Sequence, residues 1–266
     1  MYCIGMDATA NVSGVGKKIF FLYPSGIIQA EVVDKLAQQE FEVYVVRNHQ
    51  RFISVLRQFP ESIVFADIDE QLSDNQWETL IRNILAEPFG DKLDIGVLST
   101  SNNPDLRQKY LNTLKVSCGF VIIHSDLRRT SIQIMDILKA ADAKGKRRYL
   151  RANMGADNES MTSLNIPFNG RFIKGTIKDI SIVGFSCVFD TDPSLERDDH
   201  IPDIQIKLHG ILIKADAIVF GSRIDDETAE KIYVLLFSPR TSSSELIKIH
   251  KYIQTNLQTA MDKLLK

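Results

Sequence analysis

The sequence predicts two folds in tandem: an α/β domain on a parallel sheet, then an all-β domain of six antiparallel strands that close into a barrel and are followed by a helix. Three observations predict it. Residues 17–144 carry five continuously apolar runs with helical segments between them. From residue 160 onward, strands follow one another with only turn signals between. The change of pattern falls on a basic cluster at residues 146–151. At 266 residues, with 44% hydrophobic and 25% charged residues, the chain can bury one core in each of two domains of ordinary size.

The runs of the first domain are Ile19–Leu22, Val43–Val46, Ile63–Ala66, Ile95–Leu98 and Phe120–Ile123. Continuous rather than alternating apolarity means that both faces of each strand are covered, as in a parallel sheet flanked by helices. Helical spacing recurs over Gln29–Gln39, Trp77–Ala86, Leu106–Leu114 and Thr130–Ala143. Five such units with right-handed crossovers give a flavodoxin-like or receiver-like sheet, an analogy of fold that leaves function to be argued from the site. Trp77 is expected in a core or at a domain interface. Residues 1–16, without a cationic start or an apolar run, are read as a disordered leader, which leaves 17–144 and 145–266 as the two domains.

A working receiver needs carboxylates after its first strand to hold Mg²⁺, an Asp ending the third strand, a hydroxyl after the fourth and a Lys after the fifth. Asp67 and Thr100 fill two of these places. Tyr23-Pro24-Ser25-Gly26 supplies no carboxylate, and His124 stands where the Lys belongs. Without paired acids there is too little charge to hold a hard, well-hydrated cation. Asp67, with Asp69 beside it, is therefore read as a solvated strand-end acid rather than a phosphoacceptor.

Strands of the second domain are expected over Ser160–Phe168, Arg171–Ser181, Gly184–Asp190, Asp203–Leu208, Ile211–Arg223 and Lys231–Phe237. Asn169-Gly170, His209-Gly210 and Asp225-Asp226 are the turn signals between them. Alternation is clear in Ile204-Gln205-Ile206-Lys207-Leu208, and six antiparallel strands of this length close most easily into a barrel. Ser242 with Glu245 three residues on predicts a capping box opening the last helix. Its stripe of Leu246, Ile249, Ile253, Leu257, Met261 and Leu264 is expected to cover the barrel rather than to bind a partner.

The basic cluster Lys146-Arg147-Arg148-Tyr149-Leu150-Arg151 reads as a flexible cationic strap. Arg147 and Arg151 carry planar forks that grip phosphate or a purine edge in bidentate fashion, with Lys146 and Arg148 as auxiliary phosphate contacts. Taken alone the strap is an ordinary solvated linker. Downstream, Asp179 can accept hydrogen bonds from a guanine edge, Ser181 can add another, and Gly184 permits close backbone approach. Taken alone, these are a capped strand end and a bulge. Together, Arg147-x-x-x-Arg151 and Asp179-x-Ser181-x-x-Gly184 resemble the paired motif of PilZ domains, small β-barrels that bind the bacterial second messenger cyclic di-GMP. The resemblance runs from Lys146 to the C-terminus, and the two-domain layout is similar to that of spirochaetal PilZ receptors. It implies that the arginines clasp phosphates and guanine faces while Asp179 and Ser181 read a guanine edge. It also implies a ligand-binding receptor with no catalytic residue, cofactor or metal, in which the receiver-like domain passes the signal on or docks a protein partner.

Composition narrows the alternatives. A net charge of −2 argues against a broad nucleic-acid or membrane-surface binder, so the strap is a local feature. A nucleic-acid-binding or transcription-associated regulator using the strap on a phosphate backbone is the alternative reading. Cys3, Cys118 and Cys187 are scattered without metal-ligand spacing and fit a reducing cytoplasm. His124, His200, His209 and His250 are equally scattered, and no Ser-His-Asp or Cys-His grouping assembles from local sequence.

Overall fold

The computed structural model describes residues 16–145, 148–154 and 162–266. Contacts divide the chain into two compact units, residues 149–264 and the remainder.

In the first unit the five apolar runs become parallel strands: β1 (Ile19–Leu22), β2 (Val43–Val46), β3 (Ile63–Asp67), β4 (Asp94–Ser99) and β5 (Gly119–Ile122). Their order, β2-β1-β3-β4-β5, is the doubly wound arrangement of flavodoxin- and receiver-like folds. Every side chain of β1 and β3 is buried, which is why those runs could not alternate. Phe21 and Phe65 stack on neighbouring strands with ring centroids 5.2 Å apart. Helices α1 (26–38), α2 (Phe52–Gln58), α3 (Asp74–Leu85), α4 (104–113) and α5 (Leu127–Ala140) make the crossovers. Both α1 and α4 contain a π-helical turn, Gln29–Val33 and Lys109–Thr113, which apolar spacing alone does not signal. Helix α3 opens with a capping box between Ser73 and Gln76. Trp77 is wholly buried within this unit, and its indole N–H donates to the Glu70 carbonyl at 3.1 Å.

The second unit is a closed antiparallel barrel of β7 (Thr162–Phe168), β8 (Arg171–Ser181), β9 (Gly184–Phe189), β10 (His200–Leu208), β11 (Ile211–Ile224) and β12 (Lys231–Phe237). The strands run in the order β8-β7-β10-β11-β12-β9, and β9 returns to β8. Two turns formed as their sequences dictate. Asn169-Gly170 and His209-Gly210 both take positive φ at each residue and join strands in a two-residue hairpin. Inward residues such as Leu164, Ile177, Phe185, Ile206, Ile213 and Leu235 fill the barrel.

Helix α6 (Ser243–Leu264) adds Ile249, Tyr252 and Ile253 to that core, with Leu246 and Leu257 against it. Two details differ from the sequence expectation. Leu264 is 41% exposed and leaves the stripe. The capping box is only half made. Glu245 N–H donates to the Ser242 hydroxyl at 3.4 Å, but the Glu245 carboxylate accepts from Lys214 N–H at 3.2 Å and from the Lys248 ammonium. The helix start is thereby tied to strand β11 instead of closing on itself.

One further strand, β6 (Ala152–Asn153), has no counterpart in the sequence expectation. Strand β8 is long enough to change partners. Its first half pairs with β7 as far as Gly175, and beyond that the vacated edge is taken by β6, with Ala152 opposite Ile180 and Asn153 opposite Asp179. Met154 N–H continues the ladder to the Lys178 carbonyl at 2.8 Å.

Candidate functional site

The edge strand β6 follows directly on Arg151, the last residue of the basic cluster. Leu150, Ala152 and Met154 point alternately into the barrel core, Ala152 being fully buried, and the Tyr252 hydroxyl reaches the Met154 sulfur at 3.2 Å. Period-two alternation turns Arg151 and Asn153 outward. Pairing of β6 with β8 then brings Arg151 to Asp179, with Nη1 3.3 Å from Oδ1. The two halves of the motif thus meet across 28 residues of chain. The pair is open to solvent, with 56% of the Arg151 side chain and 24% of that of Asp179 exposed, so it contributes at most about 1 kcal/mol.

Asp179 faces outward because β8 is bulged. Ile177 and Ile180 are both buried although three residues apart, which an unbroken strand with alternating faces cannot achieve. An extra residue at Lys178 shifts the register against β9 between Ile177 and Asp179 and turns Asp179 away from the core. Lys178 itself is paired with Glu230 at 3.2 Å.

The other Asp179 oxygen, Oδ2, accepts a hydrogen bond from the Ser186 hydroxyl on β9. Sequence reasoning missed Ser186, although a signal was present. Counting back from a two-residue turn at Ile182-Val183 pairs Ser181 with Gly184 and Asp179 with Ser186, the register observed.

Ser181 is 3% exposed, and its hydroxyl donates to the Gly184 carbonyl at 3.0 Å, closing the hairpin. Gly184 needs its missing Cβ for packing against β12: a Cβ there would lie 2.2 Å from the Leu235 carbonyl oxygen. Neither Ile182 nor Val183 takes a positive φ. Ser181 and Gly184 thus build the turn that sets Asp179 opposite Ser186. Arg148 is exposed. Lys146 and Arg147 lie outside the described residues.

The first unit carries the residues weighed as a phosphorelay site. Asp67 ends β3 but is not solvated, contrary to the sequence expectation. Its side chain is buried, Oδ2 accepts the Ser25 N–H at 3.0 Å at the start of α1, and Oδ1 is buried without a partner. Burial, with Asp69 and Glu70 nearby, pushes its carboxyl up to about 6. Thr100 is engaged with Asp69, which accepts its N–H and its hydroxyl, each at 2.6 Å, together with the Ser99 hydroxyl at 2.6 Å. The turn after β1 holds Tyr23 at φ 51°, with its hydroxyl 2.8 Å from His49 Nδ1. His124 N–H donates to the Thr130 hydroxyl at 3.1 Å.

Among the described residues no three His, Cys, Asp or Glu side chains gather as a metal site, and no helix is long and apolar enough to cross a membrane. Cys187 is fully buried and Cys118 half-buried; burial pushes the Cys118 thiol up to about 12 and that of Cys187 higher still.

The second unit is a closed six-stranded antiparallel barrel followed by a helix, and the first is a doubly wound parallel sheet of receiver-like strand order. Among solved structures, the chain is similar to the PilZ domain with c-di-GMP of YcgR from Escherichia coli (16% identity, TM-score 0.37), over 44% of this chain and 96% of that one. It is also similar to a MrkH–c-di-GMP complex from K. pneumonia (20% identity, TM-score 0.39), over 44% of this chain and 55% of that one. A third likeness is to the Mn²⁺-bound response regulator Rcp1 (18% identity, TM-score 0.38), over 46% of this chain and 92% of that one. Compared by sequence, the chain matches no family model and no curated protein.

Proposed function

We propose that this chain is a cytoplasmic receptor for cyclic di-GMP, not an enzyme, and that Arg147, Arg151 and Asp179 form its binding site, with Lys146 and Arg148 as auxiliary phosphate contacts and Ser181 and Gly184 shaping the turn that presents Asp179. One observation carries the reading: β6 lies against the bulged end of β8 so that Arg151 and Asp179, one from each half of the PilZ-like motif, meet on an outward, half-open face. Arg151 presents donors suited to phosphate, and Asp179 presents acceptors suited to the N–H groups of a guanine edge. In the free protein the two neutralise each other. A phosphate of the ligand takes Arg151, which releases Asp179 Oδ1 for the base.

Calorimetric titration with cyclic di-GMP tests this. Saturable binding is expected, with a shallow salt dependence because only two phosphates are neutralised. No binding refutes the reading, and a steep salt slope with duplex DNA points instead to a many-phosphate footprint. Asp179→Ala is expected to lower affinity moderately while relaxing the preference for guanine over adenine in the cyclic dinucleotide, since base-edge contacts specify and phosphate contacts hold. Equal losses for the two dinucleotides would contradict that division.

The same residues suggest how binding is passed on to a protein partner. The basic cluster joins the end of one unit to the first strand of the other, so ordering it constrains the chain between them. Residues 152–154 are already tied to β8 by backbone hydrogen bonds, so added protection from hydrogen exchange on ligand binding is expected in residues 148–151. Identical exchange there with and without saturating ligand would leave a binding module without this coupling.

A further inference from the structure

Ser186 is a polar residue at 6% exposure on a barrel strand, and its hydroxyl is aimed at one carboxylate oxygen. Its neighbours on β9, Phe185 and Cys187, are core residues. Asp179 is held from two sides, by Ser186 at Oδ2 and by Arg151 at Oδ1. These two tethers differ in kind. Arg151 stands on a half-open edge and is the group that a phosphate would draw away. Ser186 is fixed by the β8–β9 ladder, which places it directly opposite Asp179, and by the buried turn bond from Ser181 to Gly184. An aspartate has two side-chain torsions, and an outward aspartate at a bulge is not fixed by the barrel core. A single buried donor on one oxygen sets the plane of the carboxylate and leaves the remaining lone pairs aimed outward.

We infer that Ser186 is the positioning residue that makes Asp179 selective for guanine: it locks the carboxylate in the orientation that receives two N–H groups of a guanine edge at once. This rests on the proposed reading of the site as a cyclic di-GMP receptor. Guanine offers two parallel donors, its ring N1–H and its 2-amino group, and only a carboxylate of fixed plane accepts both. A freely rotating one accepts either singly and loses most of the benefit of the second.

Cyclic di-IMP, which keeps the N1–H and lacks the 2-amino group, separates these cases. The full chain is titrated with cyclic di-GMP and cyclic di-IMP as wild type and as Ser186→Ala, Ser186→Cys and Ser186→Thr. Wild type is expected to prefer guanine by about tenfold or more, the worth of one hydrogen bond to a charged group. Ser186→Ala and Ser186→Cys are expected to shrink that ratio to about threefold or less while still binding, and Ser186→Thr, which keeps the hydroxyl, to preserve it. The cysteine variant fills the place of the serine with a somewhat larger group that is only a weak donor, so the test stands even where alanine leaves a gap that disturbs the strand. Loss of folding would lower both affinities together and leave their ratio alone. A wild-type ratio near one, or an unchanged ratio in the alanine and cysteine variants, overturns the inference. Failure of wild type to bind cyclic di-GMP at all would instead overturn the receptor reading.

Discussion

Arg151→Ala is expected to weaken cyclic di-GMP binding by about a hundredfold or more, and Arg147→Ala by a similar factor. A guanidinium fork on phosphate or a purine edge makes about two charge-assisted hydrogen bonds of roughly 1.5–3 kcal/mol each. Against that gain stands the Asp179 pair that Arg151 gives up, worth at most about 1 kcal/mol because both partners are solvated. The net loss of roughly 2–5 kcal/mol centres near a hundredfold or somewhat above it. Arg151→Lys keeps the charge but not the fork, and it should recover only part of the loss. For Arg147 the expectation rests on the motif alone. Affinities within threefold of wild type in both alanine variants would remove the arginines from the site.

Most strands were legible in the sequence because the two solvents of a strand leave different marks. In the parallel sheet both faces meet helices, so Ile19–Leu22 and Ile63–Asp67 are uniformly apolar up to the closing acid. In the barrel one face meets water, so Ile204–Leu208 alternates. What the sequence concealed was settled by tertiary partners. Strand β6 exists because β8 outruns β7, and its alternation of Leu150, Ala152 and Met154 was hidden beneath a conspicuous run of charge. Motif spacing alone does not tell what each residue does in the fold. Ser181 and Gly184 serve the turn and the packing of β9 on β12, and the hydroxyl that reaches Asp179 belongs to Ser186. The π-helical turns of α1 and α4 have the same apolar spacing as α-helix over so few residues.

Asp67 marks the limit of reading exposure from sequence, since an acid that closes an apolar run can project into water or be roofed by the next helix. Here the start of α1 roofs it, and the consequence is measurable. A carboxyl raised to about 6 in the folded chain, from 3.8 when unfolded, binds its proton more tightly in the native state. The charged form therefore opposes folding. That cost is absent below about pH 4, grows as the pH rises through the interval up to about 6, and is complete above it at about 3 kcal/mol. Asp67→Asn removes the charge while a side-chain oxygen still accepts the Ser25 N–H at the start of α1. Its amide must occupy the side of Oδ1, where no partner stands, and an unsatisfied buried donor returns about 1 kcal/mol of the gain. The net expectation is a stabilisation of about 2 kcal/mol at pH 7.5, roughly 6 °C in the melting midpoint of the first unit. It should decline as the pH falls and pass below zero toward pH 4, where the charge cost is gone and the unsatisfied amide of the variant remains. Comparing the two proteins at each pH cancels every other titrating group. Melting curves that differ by a constant amount between pH 4.5 and 8, or an Asp67→Asn variant that is less stable than wild type at pH 7.5, would show that the Asp67 charge is not a cost the fold carries.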